Sequence, residues 1–252
     1  MFERSRLGAA RYYAVPMRRY APVPGDNKGR IVGSMATNPQ SVDQLQPADA
    51  GGSAFRVRLL DALATSIEVR GYRASTIADI VGIARTSRRT FYQEFSGKED
   101  CFIELLRRAN TSMIDEIVAA VDPNAGWITQ IRQAIGAYVK SIEMDPAITL
   151  SWIRELPALG TSARPVQRHA MEELIRTLVM LTSTPQMRAL GVETVSRSMA
   201  TLLLGGLREL TAVAVEDGRP INSMTETMVE ACIALLGPRP DVSRTQLPKQ
   251  QE

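Results

Sequence analysis

The sequence predicts an all-α protein: a three-helix head built around a helix-turn-helix, then a helical body, about nine helices in all. Three observations carry this. Apolar residues recur at i, i+3, i+4 and i+7 over most of residues 54–237, the spacing of one helix face. No Val/Ile/Thr-rich alternating run lies between turn signals, as a strand would require. Two short helical stretches between 76 and 95 are separated only by Arg85-Thr86.

The elements follow in order. Residues 1–53 show no apolar period and carry Pro16, Pro22, Pro24, Pro39 and Pro47 before Gly51-Gly52-Ser53. They read as a flexible, disordered arm. Its first 30 residues hold seven Lys/Arg against Glu3 and Asp26. Met35 offers a second translation start. Leu60, Leu63, Ala64 and Ile67 then mark one helix face, ending at Gly71. Thr76 opens a short helix with Asp79 as its capping-box partner, and a second short helix runs from about Ser87 to Phe95. Ser96 and Glu99 repeat the capping box before a longer helix striped by Phe102, Leu105, Leu106, Ala109, Met113 and Ile117. Later stripes are Ile128, Ile131, Ile135 and Val139, then Ile148 to Trp152 after an Asp145 N-cap and first-turn Pro146. Leu174 to Val179, Val195 to Val215, and Met224 to Leu236 capped by Ser223 and Glu226 complete the series. The domains expected are the arm 1–53, the head 54–97, the body 98–237 and a disordered tail 238–252.

The stretch Ala84 to Phe95, ARTSRRTFYQEF, concentrates function. Ile77, Ile80, Val81, Phe91 and Phe95 are expected to face inward, leaving Ser87, Arg88, Thr90 and Tyr92 outward. Arg, Ser and Thr side chains bond base edges or phosphates, and a helix, tight turn and short second helix is the geometry that reads DNA. From Arg70 to Lys98 there are six basic residues against two acidic ones, Asp79 and Glu94. Arginines on an amphipathic helix usually mean only a solvated face, so the charge alone decides little.

The ordered string does more. Gly71-Tyr72, Thr76, Ile80, Ala84, Ser87, Thr90-Phe91-Tyr92, Phe95 and Lys98-Glu99 together resemble the TetR family of bacterial transcriptional repressors. The resemblance is close from Phe55 to Asn110. It implies a DNA-binding head and a body that holds an effector pocket and dimerises through its last two helices. Carried over by position, Thr76 touches phosphate, Ser87, Arg88, Arg89 and Thr90 lie in or beside the major groove, and Tyr92 and Lys98 grip the backbone. One departure stands out. The family commonly has Gly then Val in the turn, where this chain has Arg85 and Thr86. Either Arg85 is left-handed, at a cost of about 1–2 kcal/mol against glycine that a phosphate contact can offset, or the turn takes a different shape. Gly82 adds slack to the preceding helix, at about 1 kcal/mol against alanine.

In the body, Trp127, Tyr138, Met144, Trp152, His169, Met171, Met180 and Met199 are candidates to line an apolar cavity. Such residues are more often core. Gly205-Gly206 permits close helix approach, so Leu202, Gly205, Gly206, Met228, Cys232 and Leu235 form the dimer-interface candidate, against the alternative that they are interior.

Composition bounds the rest. The net charge of +3 is too small to prove a polyanion partner. Cys101 and Cys232 lack metal-ligand spacing and suggest a reducing compartment, and His169 is the one histidine. No metal, cofactor or catalytic residue is expected. The longest strongly apolar run, Met199 to Leu207, is far short of the roughly 20 residues of a membrane span, and no signal peptide is apparent. The expected protein is a cytoplasmic, nucleoid-associated bacterial homodimer. It binds a palindromic double-stranded operator and is released by a small, apolar effector. One rival keeps DNA binding without an effector. Another is an all-α enzyme using His169 with Glu172 or Glu173.

Overall fold

The computed structural model describes residues 48–238, with side chains from 54 onward. The arm 1–47, the choice of start and the tail from 239 lie outside the described residues. Eleven α-helical segments occur among those described: α1 (Ala48–Ala74), α2 (Ile77–Ile83), α3 (Arg88–Glu94), α4 (Lys98–Ala120), α5 (Trp127–Met144), α6 (Pro146–Leu150), α7 (Leu156–Ala158), α8 (Arg164–Thr182), α9 (Pro185–Ala189), α10 (Arg197–Glu216) and α11 (Thr225–Leu236). The all-α class holds. The count exceeds nine because a π-helical turn, Ser151–Glu155, breaks the segment expected near Trp152, and a five-residue α9 precedes α10.

One helix start moved. α1 starts at Ala48, so the last six residues assigned to the arm are helical. Once the Leu59–Ile67 stripe nucleates the helix, each further turn costs little, even through Gly51-Gly52. Its other end is as expected: Gly71 takes φ 79°, ψ 162° and breaks the helix. Both caps expected from serine also differ. At α4 the N-cap is Gly97, and the backbone N–H and hydroxyl of Ser96 donate to Asp100 at 2.9 and 3.1 Å. Glu99 instead accepts from Ser162 Oγ at 2.6 Å. At α11 a 3₁₀ turn, Ile221–Met224, leads in, and Ser223 Oγ donates back to Pro220 O at 2.6 Å.

Two cores organise the helices. The first holds Leu59, Leu60, Leu63 and Ile67 of α1, Ile80 of α2, Phe91 of α3 with the following Phe95, and Phe102, Leu105 and Leu106 of α4. It does not close within the head, since Ile148, Leu156 and Ala163 are buried in the same cluster and Trp152 and Val166 pack on it. The second core joins Ile135, Val139 and Ile142 to Ile175, Leu203, Leu207, Met228, Val229 and Cys232. Ile128 is 43% exposed, one turn beyond the end of that core. Both cysteines are free and buried, and burial pushes each thiol up to about 12.

α10 shows that the length of the longest apolar run understates a helix's apolarity. By length and composition it is apolar enough to cross a membrane; counting uninterrupted apolar residues missed this because Arg208-Glu209 interrupts the run. Here it is a core helix, with Ala200, Leu203, Leu207, Thr211, Ala212 and Ala214 buried.

Candidate nucleic-acid interface

The short helices of the head are held by caps rather than by length, since seven residues are too few for independent helicity. Thr76 is the α2 N-cap. Its hydroxyl accepts from the Asp79 N–H at 3.2 Å, and Asp79 Oδ2 accepts from the Thr76 N–H at 2.9 Å. The Thr76 hydroxyl also donates to Asp79 at 2.6 Å. These bonds, with Arg70 beside them, hold the Asp79 carboxyl below the usual carboxylate range. The far end of α2 closes as a Schellman motif. Arg85 N–H donates to Gly82 O at 3.2 Å and Thr86 N–H to Val81 O at 3.0 Å. That closure requires a left-handed residue at 85, and Arg85 has φ 50°. The strain foreseen from the missing glycine is present, about 1–2 kcal/mol.

Ser87 then caps α3, accepting from the Thr90 N–H at 3.1 Å, with its hydroxyl 2.9 Å from the Thr90 hydroxyl. The inward set is as expected: Phe91 and Ile80 are fully buried, Phe95 and Val81 nearly so, and Ile77 packs on them. Outward stand Ser87, Arg88 and Arg89, with Tyr92 59% exposed and Thr90 half-buried.

Ion pairing sorts the basic residues of the head. Arg70 pairs with Asp79 at 2.9 Å and Arg73 with Glu155 at 2.8 Å. Arg56 donates to Glu94 O at 2.7 Å, lies 4.4 Å over the Phe95 ring and approaches Glu104 at 3.8 Å. By contrast, Arg85, Arg88 and Arg89 are exposed and have no carboxylate partner among the described residues. Arg88 and Arg89 occupy the first turn of α3, which carries no acid. Cations there oppose the helix dipole, so folding alone does not favour this arrangement.

Lys98 is placed differently from its expected role. Its ammonium donates to the carbonyls of Tyr72 at 3.1 Å, Ser75 at 2.9 Å and, at longer range, Arg73 at 3.4 Å, and it sits 4.4 Å from the Tyr72 ring centroid. It closes the turn between α1 and α2. Tyr72 in turn stacks on Phe102 at 3.8 Å, and burial pushes its phenol up to about 12. Sequence reasoning missed Arg56, which clamps the α3 end, and the buried Ser66–Ser75 hydroxyl pair at 2.7 Å. Arg56 on an otherwise apolar face was the available signal.

The body candidates scatter. A cavity of about 150 Å3 lies between α4, the π-helical turn and α8, lined by Arg107, Asn110, Trp152, Val166, His169 and Glu173 among others. Only Trp152 and His169 of the eight candidates reach it. His169 Nε2 is 3.4 Å from Glu173, and Asn110 donates to the same carboxylate at 3.1 Å. Tyr138 bonds the Thr211 hydroxyl at 2.8 Å, and Tyr138, Met171 and Met199 all pack on the second core. Trp127 packs against Gly237, where a Cβ would come within 2.8 Å of the ring. Met144 is half-buried and Met180 half-exposed. Of the interface candidates, Leu202, Gly205 and Gly206 open outward and Leu235 is half-buried. Met228 and Cys232 are interior, packed in the second core, which leaves them no surface for a partner.

Comparison with known proteins bears on this geometry. Residues 59–105 match the model for bacterial regulatory proteins of the tetR family. The chain is 28% identical over 108 residues to the HTH-type transcriptional regulator AlkX of Mycobacterium tuberculosis, covering 42% of this chain. It is 26% identical over 95 residues, 38% of this chain, to an uncharacterised HTH-type regulator, YxbF, of Bacillus subtilis. The match spans about half of the first relative (51%) and a quarter of the second (24%). Among solved structures, the fatty acid degradation regulator FadR of Bacillus halodurans aligns with TM-score 0.62 at 17% identity, over 72% of this chain and 94% of that one. The Bacillus subtilis FadR in complex with stearoyl-CoA aligns with TM-score 0.62 at 16% identity, over 73% and 98%. At such identities the likeness fixes the fold alone.

Proposed function

We propose, from the premise that the chain carries the DNA-binding head of the tetR family, that it is a homodimeric, sequence-specific transcriptional repressor. The carrying observation is the trio of exposed, unpaired arginines, 85, 88 and 89, on one helix-turn-helix whose other cations are mostly neutralised within the fold. Ser87, Arg88, Arg89 and Thr90 meet base edges in the major groove, and Thr76 and Tyr92 meet phosphates. One short recognition helix specifies too few base pairs, so two copies bind a roughly palindromic duplex. The outward Leu202-Gly205-Gly206 surface of α10 supports the pairing. The protein acts in the cytoplasm, on the nucleoid, and not as an enzyme.

Release comes from a small apolar molecule that favours a body conformation incompatible with DNA binding; its effect equals its differential affinity for the two conformations. The stearoyl-CoA complex of a protein sharing this fold supports ligand control. A second reading, a DNA-binding protein without an effector, is favoured by the scatter of the aromatic and methionine candidates, of which only Trp152 and His169 line the cavity beside α4 and α8.

Selection of a binding site from random duplexes, then sedimentation of the full chain with and without that duplex, tests the central claim. The expected species is a dimer alone and a dimer on one palindrome. A monomer at micromolar concentration that binds one half-site at a time would overturn it.

Two substitutions separate positioning from stability. Tyr92→Phe is expected to weaken all duplexes alike, because backbone contacts carry no sequence information. Lys98→Ala is expected to lower the melting temperature, since it frees the carbonyls of Tyr72 and Ser75, and to leave the salt slope of binding near that of the unaltered chain. Salt titrations on several duplexes, with melting curves, read both. An altered sequence preference for either variant would show that the roles are sorted wrongly.

A further inference from the structure

Arg85 stands out as a residue whose backbone the fold constrains and whose side chain the fold does not use. The two closure bonds at the end of α2 demand a left-handed residue there, and glycine would satisfy both without strain. Among the described residues Arg85 is the sole non-glycine at positive φ. Its side chain is exposed and makes no hydrogen bond, ion pair or ring contact to any of them. Strain of this kind persists where the surroundings over-determine it, and it clusters at sites that act on something else.

We propose that Arg85 is a phosphate clamp: it holds a DNA backbone phosphate beside the recognition helix, in exchange for a less stable head. The inference rests on the DNA-binding reading above and names a residue that strengthens it. The position favours phosphate over base. Arg85 precedes the α3 N-cap Ser87, whereas bases are met by the first residues of the recognition helix itself. A planar guanidinium also suits phosphate, which it grips with two parallel N–H donors where an ammonium offers a point charge.

The test compares the full chain with Arg85→Gly, Arg85→Ala and Arg85→Lys, measuring melting temperature and affinity for a random-sequence duplex over a range of salt. Sequence-independent contact makes the random duplex sufficient. Arg85→Gly is expected to raise the melting temperature by about 1–4 °C. It should weaken binding about tenfold at low salt and lower the salt slope by about one per protomer. Arg85→Ala should weaken binding equally with no thermal gain, and Arg85→Lys should keep the slope and recover part of the affinity.

Arg85→Gly with unchanged affinity and slope would overturn the clamp while leaving DNA binding intact. A lowered melting temperature in Arg85→Gly would overturn it too, by showing that the side chain supports the fold. A loss confined to one selected sequence would make Arg85 a base reader instead. If the unaltered chain binds neither random nor selected duplex, the DNA-binding reading itself falls.

Discussion

Phe91→Ala is expected to abolish DNA binding and to lower the stability of the chain by about 3–5 kcal/mol. Phe91 is fully buried, and its ring meets Phe95 at 5.7 Å and the edge of Tyr92 at 5.6 Å. α3 has seven residues and no helicity of its own, so this ring is what seats it against α1 and α2. The loss is a large share of the roughly 5–15 kcal/mol that holds a domain folded. Chemical denaturation followed by helix content measures it, and Phe91→Leu, which leaves a smaller void, should cost less. A loss below about 1 kcal/mol would mean that α3 is not anchored by its aromatic face.

Replacing Arg88 and Arg89 together by alanine should do the reverse: leave the fold intact and remove recognition. Both are exposed and unpaired, so stability should stay within about 0.5 kcal/mol. A slight gain is expected, because two cations leave the positive end of a helix. Affinity for the selected duplex should fall by roughly 10–100-fold for each guanidinium that grips a base. The two losses need not add, because the residues are neighbours. Ser87→Ala is a poorer probe, since it also removes an N-cap worth about 1 kcal/mol. Undiminished affinity in the double variant would move the reading surface elsewhere on the molecule.

Much of the head was legible because local chemistry decided it. The Thr76-Asp79 capping box, the break at Gly71 and the inward set Ile80, Phe91 and Phe95 each follow from residue type and spacing. The left-handed turn at Arg85 was legible only through the family pattern; composition alone gives no reason to strain an arginine. What failed was set by tertiary partners. Ser96 was read as capping with Glu99, yet Asp100, one residue further on, has the reach, and Glu99 turns to Ser162 instead. Lys98 looked free to meet DNA because the carbonyls it serves lie more than twenty residues earlier. In the body, helix periodicity finds the stripes but not which of two cores each stripe enters. Met228 and Cys232 were therefore offered to a partner when they belong to the interior. The aromatic and methionine candidates for a cavity scattered for the same reason.

The open floor of the first core bears on how such regulators can be recombined. Ile148, Leu156 and Ala163 complete the burial of the head's helices, and Arg73 and Glu99 reach Glu155 and Ser162 across the same contact. A chimera that joins this head to a foreign body at residue 97 would retain every exposed side chain of the helix-turn-helix and still lose the surface on which the head rests. The smallest transplantable module is therefore discontinuous: residues 54–106 together with 147–166. Exchange of recognition specificity between relatives should succeed by grafting the exposed side chains of α3, and should fail by swapping heads as contiguous cassettes.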